Sequence, residues 1–183
     1  VWIYKNIDNS ISKSLMDRYG FNKICADVLQ NRTEIVGGNV DNLFKRVLYN
    51  LHNPFLLNDM DRAVVRIEKA VMLNEKITVY GDYDADGVTS TSILYMFLKE
   101  NGANVDYYIP NRFSDGYGMN ADSVKKIADS GTKLIITVDN GIAAANEIEY
   151  AKELGLDVIV TDHHECPDVI PDCCAVINPK RKD

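Results

Sequence analysis

Positive charge is what this sequence has least of. Twenty Lys and Arg stand against 27 Asp and Glu, a net charge of −7 over 183 residues. That excess argues against nucleic-acid binding through the whole surface. The basic clusters Lys45-Arg46 and Lys180-Arg181-Lys182 are too short to mark a track and read as solvated surface. Cysteine is also sparse. Cys25, Cys166, Cys173 and Cys174 form no Cys-x-x-Cys pair, and adjacent Cys173-Cys174 makes a poor disulfide framework. The expectation is reduced thiols in the cytosol. No apolar run approaches the roughly 20 residues of a membrane span. The start, VWIYKNIDNS, has no basic leader before an apolar stretch and no initiator Met. It is therefore read as trimmed and without a signal peptide.

What is present is a change of rhythm near residue 75. Before it, helical spacing predicts helices over Ile11 to Tyr19, Asn22 to Gln30 and Asp59 to Leu73, with a break at Asn53-Pro54. After it, β-branched or aliphatic runs at 77–80, 104–109, 134–138, 157–161 and 175–177 alternate with helical segments at 88–100, 120–130 and 143–154. Gly102, Gly131 and Gly155 stand as stops. This alternation predicts an α/β fold, a doubly wound parallel sheet preceded by a helical N-terminal segment. The expected division is a helical lead-in over 1–75 and a larger domain over 76–183.

Acidic residues follow these runs. GDYDADG, with Asp82, Asp84 and Asp86, follows 77–80; Asp139-Asn140-Gly141 follows 134–138; Asp162-His163-His164 follows 157–161. Parallel strands place their C-terminal ends on one edge, about 4.8 Å apart. Five carboxylates and two imidazoles are thus expected in one cleft, where one imidazole ligates metal and the other contacts substrate or moves a proton. Carboxylates spaced two apart in an extended loop repel one another unless a cation neutralises them. Hard oxygen donors with imidazole suit Mn²⁺ or Mg²⁺, and a two-metal site suits phosphoester hydrolysis. A calcium loop is excluded because the twelfth residue from Asp82 is Ile93. A phosphate-cradling GxxxxGK[ST] loop is absent. His52 is read as structural. The loop PNRFSDGYGMN offers Arg112 as a phosphate clamp and Tyr117 within a Gly-flanked turn, both expected to bind substrate.

These motifs in combination resemble the DHH phosphoesterase superfamily, and within it the RecJ-type exonucleases. The resemblance rests on VYGDYDADGVTSTSIL, IPNRFSDGYGMN, ITVDNGI, VIVTDHH and the upstream LHNPFLLNDMDRAVVRI. Smaller members of the superfamily carry His where Tyr80 stands, four residues before the Asp84-x-Asp86 pair, a departure that favours the RecJ type. The resemblance implies Asp84, Asp86, Asp139 and His163 as metal ligands, with Asp82 as a further carboxylate of the set. His164 and Asp162 are the implied catalytic pair. It implies 5′→3′ hydrolysis of single-stranded DNA in recombination and repair, in the cytosol. Implied partners are single-stranded DNA, a single-stranded-DNA-binding protein and a helicase. The superfamily also has a later Asp ligand and a second, DHH-associated domain. The expectation is that this chain is an N-terminal fragment without them, folded but with little activity by itself. Alternatives are a phosphodiesterase for short RNA or cyclic dinucleotides, and a noncatalytic nucleic-acid-binding scaffold. The retained carboxylates argue against the scaffold.

Overall fold

The computed structural model describes residues 6–32, 51–111 and 118–183. The chain forms two compact units, Val1–His52 and Asn53–Asp183. In the first, helices α1 (Asn9–Tyr19) and α2 (Lys23–Gln30) start where Asp8 and Asn22 accept backbone N–H bonds as caps. Leu15 and Ala26 are buried between them. Both helices were expected from the spacing.

The second unit is a five-stranded parallel sheet of order β2-β1-β3-β4-β5. Its elements are α3 (Met60–Met72), β1 (Ile77–Tyr80), α4 (Ala85–Glu100), β2 (Val105–Tyr108), α5 (Ala121–Asp129), β3 (Leu134–Val138), α6 (Ala145–Glu153), β4 (Asp157–Thr161) and β5 (Ala175–Ile177). Strands buried on both faces read as continuous apolar runs, and β1 and β3 are buried along their whole length. Side chains alternate between faces. Ile135, Val158 and Val160 pack with Val124, Ile127 and Ile148 of α5 and α6. Leu134, Ile136, Val138 and Ile159 pack with Ala63 and Ala70 of α3 and Leu98 of α4. Each fully buried Ile or Leu of these clusters contributes about 1.5–3 kcal/mol.

The compact unit begins earlier than the division expected at residue 75. Ala63, Ile67, Ala70 and Val71 form the apolar stripe of α3, and that stripe buries itself against the sheet rather than in a separate lead-in. Asp59 precedes α3 and accepts the Val176 backbone N–H at 3.1 Å, while Arg181 Nη1 donates to Val176 O at 2.6 Å. The open side of edge strand β5 is thus occupied by side chains rather than left as a template for another strand. His52 is exposed and lies at the end of the first unit.

The order of strands sets the site. The chain leaves β1 for β2 on one side and returns through α5 to β3 on the other. The strand order therefore reverses at β1 and β3, and the crevice between their carboxyl ends is where such sheets bind ligands. Among the described residues, no helix is long and apolar enough to cross a membrane.

Candidate metal centre

The loop after β1 is shorter than the sequence suggests. Asp84 has an extended backbone, and its side chain accepts the Gly87 N–H at 2.9 Å. It therefore caps α4, which begins at Ala85 instead of 88. The expected extended acidic loop ends at Asp84, and Asp86 lies in the first helical turn. A helix start favours carboxylates because its N–H groups lack internal partners. The turn is tight: a Cβ on Gly87 would lie 2.6 Å from Asp82 N, and one on Gly81 would lie 1.9 Å from Thr91 Oγ1. Glycine at both positions lets the loop fold onto the first turn and bury Asp82.

Asp82 is 0% exposed. Its Oδ1 accepts the Tyr83 N–H at 2.6 Å. Its Oδ2 is buried with no hydrogen-bond partner among the described residues. A carboxylate held out of water this way is costly without a cation or a donor.

Asp139 ends β3 in the left-handed region, at φ +61°. Asp tolerates that conformation better than most residues, and strain of this kind collects at functional sites. Its carboxylate meets His163, which follows β4: Nε2 to Oδ1 is 2.8 Å. Burial pushes the Asp139 carboxyl above its ordinary value, and the nearby charge of Asp84 adds to this, against the hydrogen bond from His163.

Asp162 faces inward and is a holding group. Its Oδ1 accepts the His163 and His164 N–H groups at 2.7 and 3.0 Å, and its Oδ2 accepts the Ile142 N–H at 3.0 Å. Burial alone would raise its pKa; the backbone N–H groups of His164 and Ile142 outweigh that and hold it below the ordinary carboxylate value. His164 Nδ1 lies 2.7 Å from Asp162 Oδ1, and this bond raises the pKa of His164.

Ligand-type atoms of Asp139, His163 and His164 all lie within 4.8 Å of one another. A cavity of about 370 Å³ brings Asp139, Asp162 and His163 together with Asp86 and Ser90 of α4. Asp82 and Asp84 lie outside that lining, and Asp84 caps α4. Of Asp84, Asp86, Asp139 and His163, expected from the sequence in one cleft, Asp86, Asp139 and His163 line this cavity and Asp84 does not. Arg112 and Tyr117 lie outside the described residues. The donor set, carboxylate oxygens with one or two imidazoles, fits Mn²⁺ or Mg²⁺, and the unpartnered Asp82 Oδ2 fits a buried demand for positive charge.

Sequence reasoning passed over Asn140. Its Nδ2 donates to Val138 O at 3.0 Å and to Tyr80 O at 3.3 Å, so it stitches β1 to β3 at the point of reversal. Thr137 Oγ1 donates to Asn140 O at 2.8 Å and fixes the turn. The available signal was a second polar residue immediately after Asp139, and the reading of the motif rested on Asp139 alone.

A doubly wound α/β sheet with clustered carboxylates and imidazoles at its switch point defines a protein built to hold a hard divalent cation there. The chain belongs to the DHH family: residues 76–183 match the family's N-terminal domain. It is 42% identical to the single-stranded-DNA-specific exonuclease RecJ of Bacillus subtilis, over 98% of this chain and 23% of that protein. The Escherichia coli exonuclease of the same name is 43% identical over 69% of this chain and 22% of its own length. A crystal structure of exonuclease RecJ bound to manganese superposes with a TM-score of 0.67 at 36% identity, covering 72% of this chain and 34% of that one. RecJ from Thermus thermophilus in complex with Mn²⁺ also gives 0.67, at 28% identity over 94% of this chain and 24% of that one. The chain thus spans about a quarter of the length of the curated relatives it matches.

Proposed function

We propose that this chain is the metal-holding part of a single-stranded-DNA exonuclease that works with Mn²⁺ or Mg²⁺ and acts in recombination and repair. One observation carries the reading: the Asp139–His163 contact of 2.8 Å joins the ends of β3 and β4 in a cavity that also takes in Asp86. Similarity to RecJ exonucleases, two of them solved with manganese, supports DNA as substrate and manganese as metal.

In this reading Asp84, Asp86, Asp139 and His163 hold the metal, with Asp82 as an added buried charge. Bound divalent ions would supply an activated water and neutralise charge at the scissile phosphate. The other roles belong to the chain itself. Asp162 fixes the backbone of both histidines and holds His164 through Nδ1. His164, whose ring Asp162 orients at 2.7 Å, is proposed to move a proton at the departing oxygen. Arg112 and Tyr117 are proposed to contact the substrate backbone. A single-stranded-DNA-binding protein and a helicase are proposed partners, and the cytosol the proposed compartment.

The domain reading follows: 76–183 forms the N-terminal part of the catalytic domain. The test grafts residues 1–183 into the matching region of the Bacillus subtilis relative and supplies Mn²⁺. 5′-Labelled single-stranded DNA, a short RNA and a cyclic dinucleotide are assayed side by side. Degradation of the DNA first, lost in Asp86→Ala, is expected. Hydrolysis confined to the cyclic dinucleotide or the short RNA would assign the chain to another branch of the family.

A further inference from the structure

Tyr80 is the last residue of β1, two positions before Asp82 and four before Asp84. It is 0% exposed and packs with Tyr108, Met119 and Ile135 in the core cluster under α5 and α6. It is not among the described residues that line the metal cavity, so any part it has in the chemistry passes through other residues. A phenyl ring would fill the same core space. What the hydroxyl adds is a set of polar contacts, and a buried tyrosine hydroxyl needs them.

The contacts of Tyr80 fall on both ends of one connection. Residues 109–120 lead from β2 to α5 and carry Arg112 and Tyr117. At the entry, Tyr80 pairs with Tyr108 in the sheet, and their rings lie 5.3 Å apart. The Gly81 N–H donates to Tyr108 O at 2.9 Å. At the exit, Tyr80 Oη donates to Gly118 O at 3.0 Å and lies 2.8 Å from Ser123 Oγ. Ser123 Oγ donates to Asn120 O at 2.7 Å, and Asn120 caps α5 by accepting the Ser123 N–H at 2.9 Å. Two hydroxyl protons thus serve three contacts, and Tyr80 and Ser123 act as one unit.

The same residue is tied to the metal edge. Tyr80 O accepts from Asn140 Nδ2 at 3.3 Å, in the turn that begins at Asp139. Its own chain continues through Gly81 into the buried Asp82. Tyr80 therefore touches the start of the acidic loop, the turn after β3 and both ends of the 109–120 connection. Groups that bind a substrate work only when held within about 0.5 Å of their productive place by residues that packing and hydrogen bonds lock. Tyr80 has both kinds of restraint.

We propose that Tyr80 is a positioning residue that registers the substrate-binding connection to the metal edge. Its hydroxyl holds Gly118 and, with Ser123, the start of α5, and so places Arg112 and Tyr117 relative to the metal ligands. The proposal rests on the reading of Arg112 and Tyr117 as substrate contacts.

The experiment uses the grafted enzyme with Mn²⁺ and whichever of the three substrates it degrades. Tyr80→Phe keeps the ring and its packing and removes the hydroxyl. KM should rise about fivefold with kcat kept within about twofold, because contacts made equally in the ground and transition states act on KM. Ser123→Ala should act in the same direction. The double variant should raise KM by less than the product of the two single effects, since both act through one link. Calorimetry on the 183-residue chain should find the same Mn²⁺ affinity with and without Tyr80→Phe. A lower Tm with unchanged KM would make the hydroxyl structural alone and overturn the proposal. A fall in kcat or in Mn²⁺ affinity at constant KM would overturn it too. Arg112→Ala separates the proposal from the reading beneath it. If Arg112→Ala raises KM and Tyr80→Phe does not, the positioning role falls and the substrate contact stands. If neither raises KM, both fall.

Discussion

The two edges of the same sheet handle charge in opposite ways. At the N-terminal edge charges are matched. Arg66 of α3 lies 2.6 Å from Asp157 at the start of β4 and 2.8 Å from Glu75 just before β1. Lys76 faces Asp106 at 3.7 Å. Thr78 and Thr132 join their hydroxyls at 2.7 Å in the interior nearby. At the C-terminal edge, none of Asp82, Asp84, Asp86, Asp139 or Asp162 pairs with a Lys or Arg among the described residues. Among the described residues, the side chains that pair with them there are His163 and His164. One edge is built for stability. The other holds acidic groups close together, where a bound cation would be the missing counter-charge.

The largest expected effect breaks the matched edge. Arg66 is only 12% exposed, so Arg66→Ala strips Glu75 and Asp157 of a buried partner and should cost about 3 kcal/mol in denaturant unfolding. Mn²⁺ affinity should be unchanged, because Arg66 lies at the far end of the strands. A drop in metal affinity equal to that of a ligand variant would erase the distinction between the edges.

Asp162→Asn should come next, at about 1–2 kcal/mol, because one oxygen that accepts the Ile142 N–H or the histidine amides becomes a donor. It is expected to loosen both histidines at once, seen as broadened imidazole signals. If only stability falls and the histidine signals stay sharp, Asp162 is structural alone.

The pH dependence is smaller. Pairing with Asp162 raises the His164 pKa above the ordinary 6.5. The stabilisation from this pair is therefore full below about pH 6.5 and is lost as pH rises through the higher folded value. Because His164 is exposed, solvent screening limits it to about 0.5 kcal/mol. Asp162 runs the other way: its contribution is present above the ordinary 3.8 and disappears as pH falls through its lowered folded value. An imidazole titration placing His164 below 6.5 would contradict the pairing.

Much of this contrast was legible in the sequence. Continuous apolar runs such as Leu134–Val138 announce strands buried on both faces, and acidic residues directly behind them announce a shared edge. The start of α4 was not legible, because Asp84 and Asp86 fit an extended acidic loop and a capped helix equally well; the close approach of Gly87 to Asp82, invisible to any periodicity, decides between them. The place of α3 was missed for a similar reason. Its spacing declares a helix with one apolar face but does not say which surface covers that face. Asn140 was missed because its value is a contact with Tyr80, 60 residues away.

The smallest expected effect is Asp84→Asn. Asn caps a helix as well as Asp. Weaker interaction with the helix end and relieved repulsion from Asp139 oppose each other, so stability without metal should change by no more than about 0.5 kcal/mol. Thermal scans without metal should therefore coincide, while the rise in Tm on adding Mn²⁺ should shrink.

The central claim is that the C-terminal edge binds a divalent cation through Asp139 and its neighbours. Asp139→Asn tests it most directly, since Asn accepts the same left-handed backbone and the fold should survive. Mn²⁺ binding to the 183-residue chain, followed by calorimetry and by paramagnetic broadening, is the measurement. The account predicts one-edge broadening at Asp86, Asp139 and His163 in the original chain, and at least tenfold weaker binding in Asp139→Asn. Broadening centred elsewhere, or an affinity that the substitution leaves unchanged, would contradict it.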